Sequence, residues 1–222
     1  MELEGRVVLV TGGAKRIGRA IALALAQRGA HVAFSYRSSA PEARAPAEAI
    51  RRCGVDTLAV RADVSRAADV QRLMRRLAQR FARLDVIVNS AATFTRTPYE
   101  TLSERDWDRT LDTNLKGPFL CALHASRLMR RHGGGKIINV ADWAGVRPYR
   151  DYLPYCVSKA GVIGLTKALA KELAPRIHVV AIAPGPILPP PDMSASARAR
   201  IAARAPLERW GSPQDIVNTI LF

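Results

Sequence analysis

The sequence places a tyrosine and a lysine four residues apart, at Tyr155 and Lys159. Apolar residues after them recur at the spacing of one helix face, which predicts that both side chains lie on the same side of one helix. A nearby ammonium stabilises phenolate and lowers the pKa of a tyrosine from its reference value of about 10. Tyr155 is therefore predicted to exchange protons with a substrate near neutral pH. Such a pair also occurs by chance on helices, so the elements around it decide its meaning.

A glycine-rich turn near the N-terminus is the second group with a recognisable chemistry. It lies between a predicted buried strand at 6–11 and a predicted helix at 19–27. Strand, glycine turn and helix form the context of a dinucleotide-binding turn, because backbone N–H groups at a helix N-terminus bind phosphate. The residues expected to contact a cofactor there are Gly12, Lys15, Arg16 and Ile17.

The end of the second predicted strand, His31 to Tyr36, indicates which dinucleotide is bound. NAD-binding sheets usually end this strand with an acid that holds the ribose 2′-hydroxyl. Here the strand is followed by Arg37 and Ser38 with no acid, and Arg37 with Arg16 would suit a 2′-phosphate. Two solvated loop arginines are the alternative. The missing acid favours NADP(H) as the cofactor.

The rest of the chain alternates predicted strands and helices. Further strands are expected at 56–61, 84–88, 136–140 and 177–183, and further helices at 41–53, 66–80, from 103, 114–131, around 155 and at 215–222. This alternation predicts an α/β fold with a Rossmann-like, doubly wound parallel sheet and helices on both faces. Because no repeat or long linker interrupts it, residues 1–222 are predicted to form a single domain.

Candidate ligand-binding residues follow the predicted strands, where the carboxyl ends of parallel strands meet. They are Asp63, Val64, Asn89, Ala91, Phe94, Asp142, Pro184 and Gly185. Asp63 could contact the adenine edge or instead cap the next helix. The Pro189-Pro190-Pro191 run and the segment after it are predicted to form a mobile flap near these strand ends.

Composition excludes several function classes. With 222 residues, 48% hydrophobic and 24% charged, the chain fits a globular protein without a signal peptide or membrane span, and a cytoplasmic location is expected. Three scattered cysteines and four histidines form no metal site, so no metal is expected. The net charge of +15 raises nucleic-acid binding as an alternative. The basic residues are dispersed and mostly arginine, which favours a solvated surface instead.

Taken together, these motifs resemble the short-chain dehydrogenase/reductase family. The resemblance rests on Thr11-Gly12-x-x-x-Arg16-Ile17-Gly18, Asp63-Val64, Asn89-x-Ala91, Asn114, Tyr155-x-x-x-Lys159 and Pro184-Gly185, in this order along the chain. It implies that Tyr155 is the proton donor and that Asn114 holds a water in a proton relay. It also implies that Lys159 holds the nicotinamide ribose and lowers the pKa of Tyr155.

The chain departs from the usual pattern of this family at four positions. Arg16 and Ala92 stand where the family usually has glycine, and Ser90 stands where it usually has asparagine. Asp142, thirteen residues before Tyr155, replaces the usual serine. A serine hydroxyl donates a hydrogen bond to a substrate carbonyl, whereas a carboxylate only accepts. Asp142 therefore predicts a substrate with N–H groups, or a carboxyl kept protonated by an apolar site.

These departures resemble the pteridine reductase branch, which carries the combination of Arg16, Arg37 with Ser38, Asp142 and Phe94. Phe94 would stack a flat pterin ring, and Asp142 and Tyr155 would contact it. The predicted function is NADPH-dependent pterin reduction. Two alternatives remain open: reduction of a carbonyl, such as a 3-oxoacyl chain or a sugar, and a cofactor-binding protein with little catalysis.

The resemblance also concerns assembly. The helices that start at Asn114 and near Tyr155 resemble those that pair across the main dimer interface of the family, so a homodimer or homotetramer is expected. Members of the family normally continue beyond the position of Phe222 into a seventh strand, so either the sequence is incomplete or the sheet lacks its last strand. Tetramer formation is correspondingly less secure than dimer formation.

Overall fold

A six-stranded parallel sheet forms the centre of the computed structural model, which describes residues 2–38, 40–189 and 193–222. The strands are β1 (Val7–Thr11), β2 (His31–Tyr36), β3 (Thr57–Arg61), β4 (Val86–Asn89), β5 (Gly135–Val140) and β6 (Ile177–Ile182). Their order is β3-β2-β1-β4-β5-β6, and all neighbours pair in parallel. The predicted doubly wound α/β fold is confirmed.

Helices cover both faces of the sheet. They are α1 (Arg16–Gln27), α2 (Ala40–Arg51), α3 (Ala67–Phe81), α4 (Glu104–Leu111), α5 (Gly117–Arg130), α6 (Leu153–Leu173), α7 (Ala195–Ala202) and α8 (Pro213–Leu221). One hydrophobic core joins the sheet to α3, α5 and α6, and the other joins it to α1, α2 and α8. Within the described ranges, no helix has both the length and the apolar character needed to cross a bilayer.

Strand β1 shows how one sequence pattern serves both cores. Val7 and Leu9 pack into the core that contains α3 and α5, whereas Val8 and Val10 pack into the core that contains α1 and α2. Because both faces are covered, the strand is continuously apolar rather than alternating. β1 pairs with β2 on one side and β4 on the other. The chain order reverses at this point, and such a reversal is where α/β sheets bind ligands.

Several predicted boundaries are wrong by a few residues, and one difference is informative. The helix predicted over 114–131 begins instead with a π-helical turn at Asp112–Lys116, before α5. The side chain of Asn114 binds the backbone of Thr93 from within this turn, and π-turns occur frequently at functional sites. Of the predicted flap, residues 190–192 lie outside the described residues. The segment that follows them contains α7.

Candidate active site

The carboxylate of Asp142 lies at the centre of the candidate active site. The hydroxyl of Tyr155 donates a hydrogen bond to its Oδ2 at 2.7 Å, and the hydroxyl of Tyr149 donates to Oδ1 at 3.4 Å. The backbone N–H of Ala144 also donates to Oδ1, at 2.7 Å, because Asp142 caps the 3₁₀ turn Trp143–Gly145 that follows β5. Two of the three residues predicted to contact the substrate, Asp142 and Tyr155, are thus hydrogen-bonded to each other.

This contact changes the expected acid–base behaviour of Tyr155. Its side chain is buried, and burial together with the neighbouring Asp142 carboxylate raises the pKa of Tyr155 well above the usual tyrosine range. Both causes act in the same direction, because each disfavours a second negative charge. The predicted net lowering of the Tyr155 pKa is therefore wrong for this arrangement, because these two causes outweigh any effect of the Lys159 ammonium. Tyr155 is held as a protonated donor.

Lys159 lies on the same helix face as Tyr155, and its Nζ is 5.6 Å from the centre of the Tyr155 ring. The ammonium donates to the carbonyl oxygen of Val140 at 2.7 Å. Burial lowers the pKa of Lys159 to about 8, and the nearby Asp142 carboxylate opposes part of that shift. The lysine is therefore anchored to the end of β5, and its charge titrates close to neutral pH.

The side chain of Asn114 binds the loop after β4 and does not point freely into the site. Its Oδ1 accepts from the N–H of Thr93 at 2.8 Å, and its Nδ2 donates to the Thr93 carbonyl at 2.9 Å and to the Ser158 hydroxyl at 3.1 Å. Both N–H bonds of the amide are thus used within the protein. A relay water on Asn114 stays a prediction, and these two N–H groups do not hold one in this arrangement.

Phe94 forms an aromatic wall over the reactive tyrosine. Its ring stacks on Tyr152 with centroids 4.5 Å apart, and it meets the Tyr155 ring edge-on at 4.7 Å. The loop is held in place by Thr97, whose N–H donates to the carbonyl of Asp151 at 2.7 Å. Phe94 remains 48% exposed. One ring face is covered by Tyr152, and a flat substrate would have to use the part of the ring that remains exposed.

The sequence interpretation missed Tyr149 and Tyr152 as members of this site. A signal was present, because these two and Tyr155 make up three of the five tyrosines in the chain and fall within seven residues. Pocket-lining aromatics are common in substrate sites. Tyr149 also borders an apolar cavity of about 380 Å³ that extends along α6 to Leu153 and Val157.

The glycine turn has the close approaches that a dinucleotide requires. Gly12 adopts a φ of +67°, and a Cβ there would lie 3.0 Å from the Cα of Ala91. A Cβ on Gly18 would collide with the carbonyl oxygen of Gly12. The Thr11 hydroxyl accepts from the N–H groups of Ser90 and Ala91 at 3.0 and 3.1 Å, which joins the ends of β1 and β4.

The start of α1 fits the phosphates of a dinucleotide. Lys15, at the N-cap, makes no side-chain cap hydrogen bond, and the first turn contains no acid. The helix N-terminus therefore offers backbone N–H groups and a positive dipole end to an anion. Ile17, in the first turn, packs against the core shared by α1 and α2 and fixes the position of that turn.

Arg16 and Arg37 flank this groove. Arg16 has a φ of +48°, in the left-handed region where the family usually has glycine, and its Nη2 donates to the carbonyl of Leu188 at 2.9 Å. Arg37 is exposed, and its own carbonyl accepts from Nε of Arg61 at 3.3 Å. Arg37 thus lies just after β2, where a 2′-phosphate was predicted, whereas the guanidinium of Arg16 is hydrogen-bonded to Leu188 in the segment after β6.

An acid also lies at this edge, although none ends β2. Glu42, in the first turn of α2, pairs with Nζ of Lys15 at 2.7 Å and accepts from the hydroxyl of Ser38 at 2.8 Å. The expectation that no acid faces the cofactor is therefore corrected. The chain folds Glu42 back onto two residues predicted to bind the cofactor.

Two predicted residues near β3 serve the local structure. Oδ1 of Asp63 accepts from the N–H and hydroxyl of Ser65 at 3.0 and 2.7 Å, which fixes the turn before α3. The N-cap of α3 is Arg66, so Asp63 does not cap that helix itself. Val64 is buried against α5, where a Cβ on Gly117 would lie 2.8 Å from its side chain.

The ends of β4 and β6 complete the groove. Asn89 donates to Oδ1 of Asn139 at 2.8 Å, while its own buried Oδ1 has no hydrogen-bond partner among the described residues. Such an orphaned acceptor marks a place for a donor from outside the chain. The carbonyl of Pro184 accepts from the N–H of Trp143 at 2.9 Å, which leaves Gly185 exposed beside the site.

Comparison with known proteins agrees with this geometry. Residues 6–201 match the model of the short chain dehydrogenases. The chain belongs to the short-chain dehydrogenase/reductase family. It is thus a member of a family of nicotinamide-dependent oxidoreductases, and the expected family is confirmed.

Individual relatives agree over almost the whole chain. The 3-oxoacyl-[acyl-carrier-protein] reductase FabG of Staphylococcus aureus is 41% identical over 219 residues, covering 96% of this chain and 88% of that protein. A short-chain dehydrogenase/reductase from Serratia marcescens superposes with a TM-score of 0.92 at 36% identity, covering 99% and 90%. An NAD⁺-bound xylitol dehydrogenase superposes with a TM-score of 0.92 at 27% identity, and the match covers 100% of this chain and 93% of that one. None of these three names corresponds to the predicted pteridine reductase branch.

Proposed function

We propose that this protein is an NADPH-dependent reductase of a carbonyl compound of the 3-oxoacyl class, with Tyr155 as the proton donor. The observation that carries the reaction type is the buried, protonated Tyr155 hydroxyl, which lies beside Lys159 on α6 and against the exposed ring of Phe94. The 41% identity to a 3-oxoacyl-[acyl-carrier-protein] reductase supports the substrate class. It also favours this alternative over the pterin interpretation.

A bound nicotinamide cofactor would supply the hydride. The residues proposed to hold that cofactor are Gly12, Lys15, Arg16, Ile17, Arg37, Ser38, Asp63, Val64, Asn89, Ala91, Tyr155, Lys159, Pro184 and Gly185. The glycine turn admits the pyrophosphate because a side chain at Gly12 would meet Ala91. The buried Oδ1 of Asn89, which has no partner among the described residues, lies at the end of β4 beside this turn.

Tyr155 must exchange its acceptor for proton transfer to occur. In this arrangement its hydroxyl points at Asp142, so the substrate oxygen has to replace Oδ2 as the acceptor. An ionised Asp142 would oppose the negative charge that develops on that oxygen. In carbonyl reduction Tyr155 gives its own proton to the substrate oxygen. The hydroxyl of Tyr149, 3.4 Å from the same carboxylate, would then remain as a hydrogen-bond donor to Asp142.

Pterin reduction is the second candidate, because the Asp142 carboxylate is a specific feature in its favour. A carboxylate accepts from ring and amino N–H groups, and the exposed part of the Phe94 ring suits a flat ring. The test is loss of NADPH absorbance with an acetoacetyl thioester, a dihydropterin and a sugar in parallel. Turnover of the thioester alone supports the first proposal, and turnover of the dihydropterin alone refutes it. No turnover of any of the three favours a cofactor-binding role.

Cofactor preference gives a testable consequence of the basic groove. We expect a higher kcat/KM with NADPH than with NADH, because Arg16 and Arg37 can pair with a 2′-phosphate. A charge-assisted contact contributes on the order of 1.5–3 kcal/mol, so Arg37→Asp is expected to lower the preference by about tenfold or more. Arg52→Asp changes the same net charge just beyond the far end of α2 and is the matched control. Equal use of both cofactors by the wild type would contradict the proposal.

Assembly as a homodimer is proposed from the exposed apolar faces of α5 and α6. Three large apolar side chains are each more than a third exposed: Phe119 and Leu123 on α5, and Val157 on α6. Exposed apolar patches usually mark contact surfaces between proteins. Light scattering is expected to give at least twice the 24.2 kDa chain mass. Phe119→Asp should dissociate the dimer, whereas Leu207→Asp, on an exposed segment after α7, should leave it intact. A wild type that scatters as a monomer would exclude this interface.

A further inference from the structure

Glu42 occupies the part of the groove where the two forms of the cofactor differ. Its Oε1 is 2.7 Å from Nζ of Lys15, in the turn before α1, and its Oε2 accepts from the hydroxyl of Ser38 at 2.8 Å, just after β2. One carboxylate therefore joins the two chain segments that border the proposed adenosine ribose site. Both of its oxygens take hydrogen-bonding positions that an incoming anion would also use.

We propose that Glu42 is a specificity-determining residue for the cofactor, an internal anion that competes with the 2′-phosphate for Lys15 and Ser38. This rests on the proposed binding of a nicotinamide dinucleotide in the groove. With a 2′-phosphate, both donors must exchange the carboxylate for phosphate oxygens. With a 2′-hydroxyl, the carboxylate can stay in place and accept from it. Glu42 therefore lowers the preference of the protein for the phosphorylated cofactor over the unphosphorylated one.

The energies involved allow this exchange. The side chain of Lys15 is 58% exposed and that of Glu42 is 31% exposed, and ion pairs at such surfaces contribute only about 0–1 kcal/mol. Breaking the pair therefore costs little. What remains is repulsion between Glu42 and a dianionic phosphate a few ångströms away, which at surface dielectric values amounts to about one power of ten in affinity.

Arg16 and Arg37 keep the balance in favour of the phosphate. The guanidinium of Arg16 donates to the carbonyl of Leu188, which carries no net charge. Among the described residues, neither Arg16 nor Arg37 forms an ion pair with an acid. Two cations thus remain for a 2′-phosphate after Lys15 is paired. The groove should prefer the phosphorylated cofactor, but by less than its basic residues alone would give.

The test uses two nucleotide fragments that differ only in the phosphate. Binding of adenosine 2′,5′-bisphosphate and of 5′-AMP to the full chain is measured by titration calorimetry, with the wild type, Glu42→Gln and Glu48→Gln. Glu48 lies exposed on the same helix and makes no ion pair among the described residues, so its variant matches the charge change. Glu42→Gln keeps the size of the side chain and its capacity to accept from Ser38.

We expect Glu42→Gln to bind the bisphosphate about tenfold more tightly and 5′-AMP no better than the wild type, with the gain shrinking at 0.5 M salt because exposed charges are screened. Glu48→Gln should match the wild type. Equal bisphosphate affinity in both variants would overturn the role of Glu42. If neither fragment binds to any of the three proteins, the proposed cofactor site itself is overturned. The two failures are therefore distinguishable.

Discussion

Asp142→Ser is expected to change the ratio of carbonyl to pterin reduction by about 10²-fold or more, the scale of one positioned acid–base group. Serine would donate a hydrogen bond to a substrate carbonyl and would remove the charge that opposes a developing alkoxide. The same change would remove the acceptor for pterin N–H groups. Acetoacetyl reduction should therefore rise or stay constant, while any dihydropterin reduction should fall. Steady-state kcat/KM for both substrates is the measurement.

The fold should tolerate this change. The Asp142 carboxylate caps the turn at Trp143–Gly145 through the N–H of Ala144, and serine is also a favourable cap. Asp142→Asn is the matched control, because it keeps the size and the cap acceptor and removes only the charge. If both variants retain full dihydropterin activity, Asp142 does not bind the substrate. If both lose acetoacetyl reduction, the carboxyl itself is required for carbonyl chemistry.

The pH profile supplies a second readout of the same variant. In the wild type, burial and the Asp142 carboxylate raise the pKa of Tyr155, so its proton is retained on the alkaline side. Burial lowers the pKa of Lys159 to about 8 and the Asp142 carboxylate raises it in part, so reduction is lost on the alkaline side as Lys159 loses its charge. Because Asp142→Ser removes the charge that raises the pKa of Lys159, the variant should lose reduction at a lower pH than the wild type. An unchanged alkaline limb would mean that another group limits the rate.

Tyr155→Phe is expected to lower kcat by about 10³-fold, within the range for removal of a general acid. Phenylalanine keeps the ring and its edge contact with Phe94 and removes only the hydroxyl that donates to Asp142. Cofactor affinity, measured by fluorescence titration, should fall by no more than about tenfold, the contribution of one neutral hydrogen bond, because Tyr155 is one of many residues proposed to hold the cofactor. The measurement is single-turnover oxidation of NADPH with the preferred substrate.

Tyr149→Phe is the control for this prediction, because Tyr149 donates to the same carboxylate at the longer distance of 3.4 Å. Tyr149→Phe should lower kcat far less than Tyr155→Phe does if Tyr155 alone transfers the proton. Comparable losses in the two variants would mean that the phenols act as a unit through Asp142. A Tyr155→Phe variant with near-normal turnover would exclude Tyr155 as the donor.

The sequence by itself determined the fold class and the identity of the elements that form the site. Continuous apolar strands such as β1, separated by amphipathic helices, can be buried only in a parallel sheet with helices on both faces. The glycine turn, Asp142 and Tyr155 could each be assigned to a strand end or a helix face from local spacing. Periodicity reports local geometry, and these assignments required nothing more.

Only the tertiary structure decided the electrostatics of the site. The pKa of Tyr155 depends on burial and on the distance to Asp142, and both come from the packing of α6 against the end of β5. The pairing of Glu42 with Lys15 depends on α2 folding back onto the turn before α1. Charges interact through space over a few ångströms, whatever their separation along the chain. A sequence pattern specifies which charges exist, and the fold sets the distances that determine their effect.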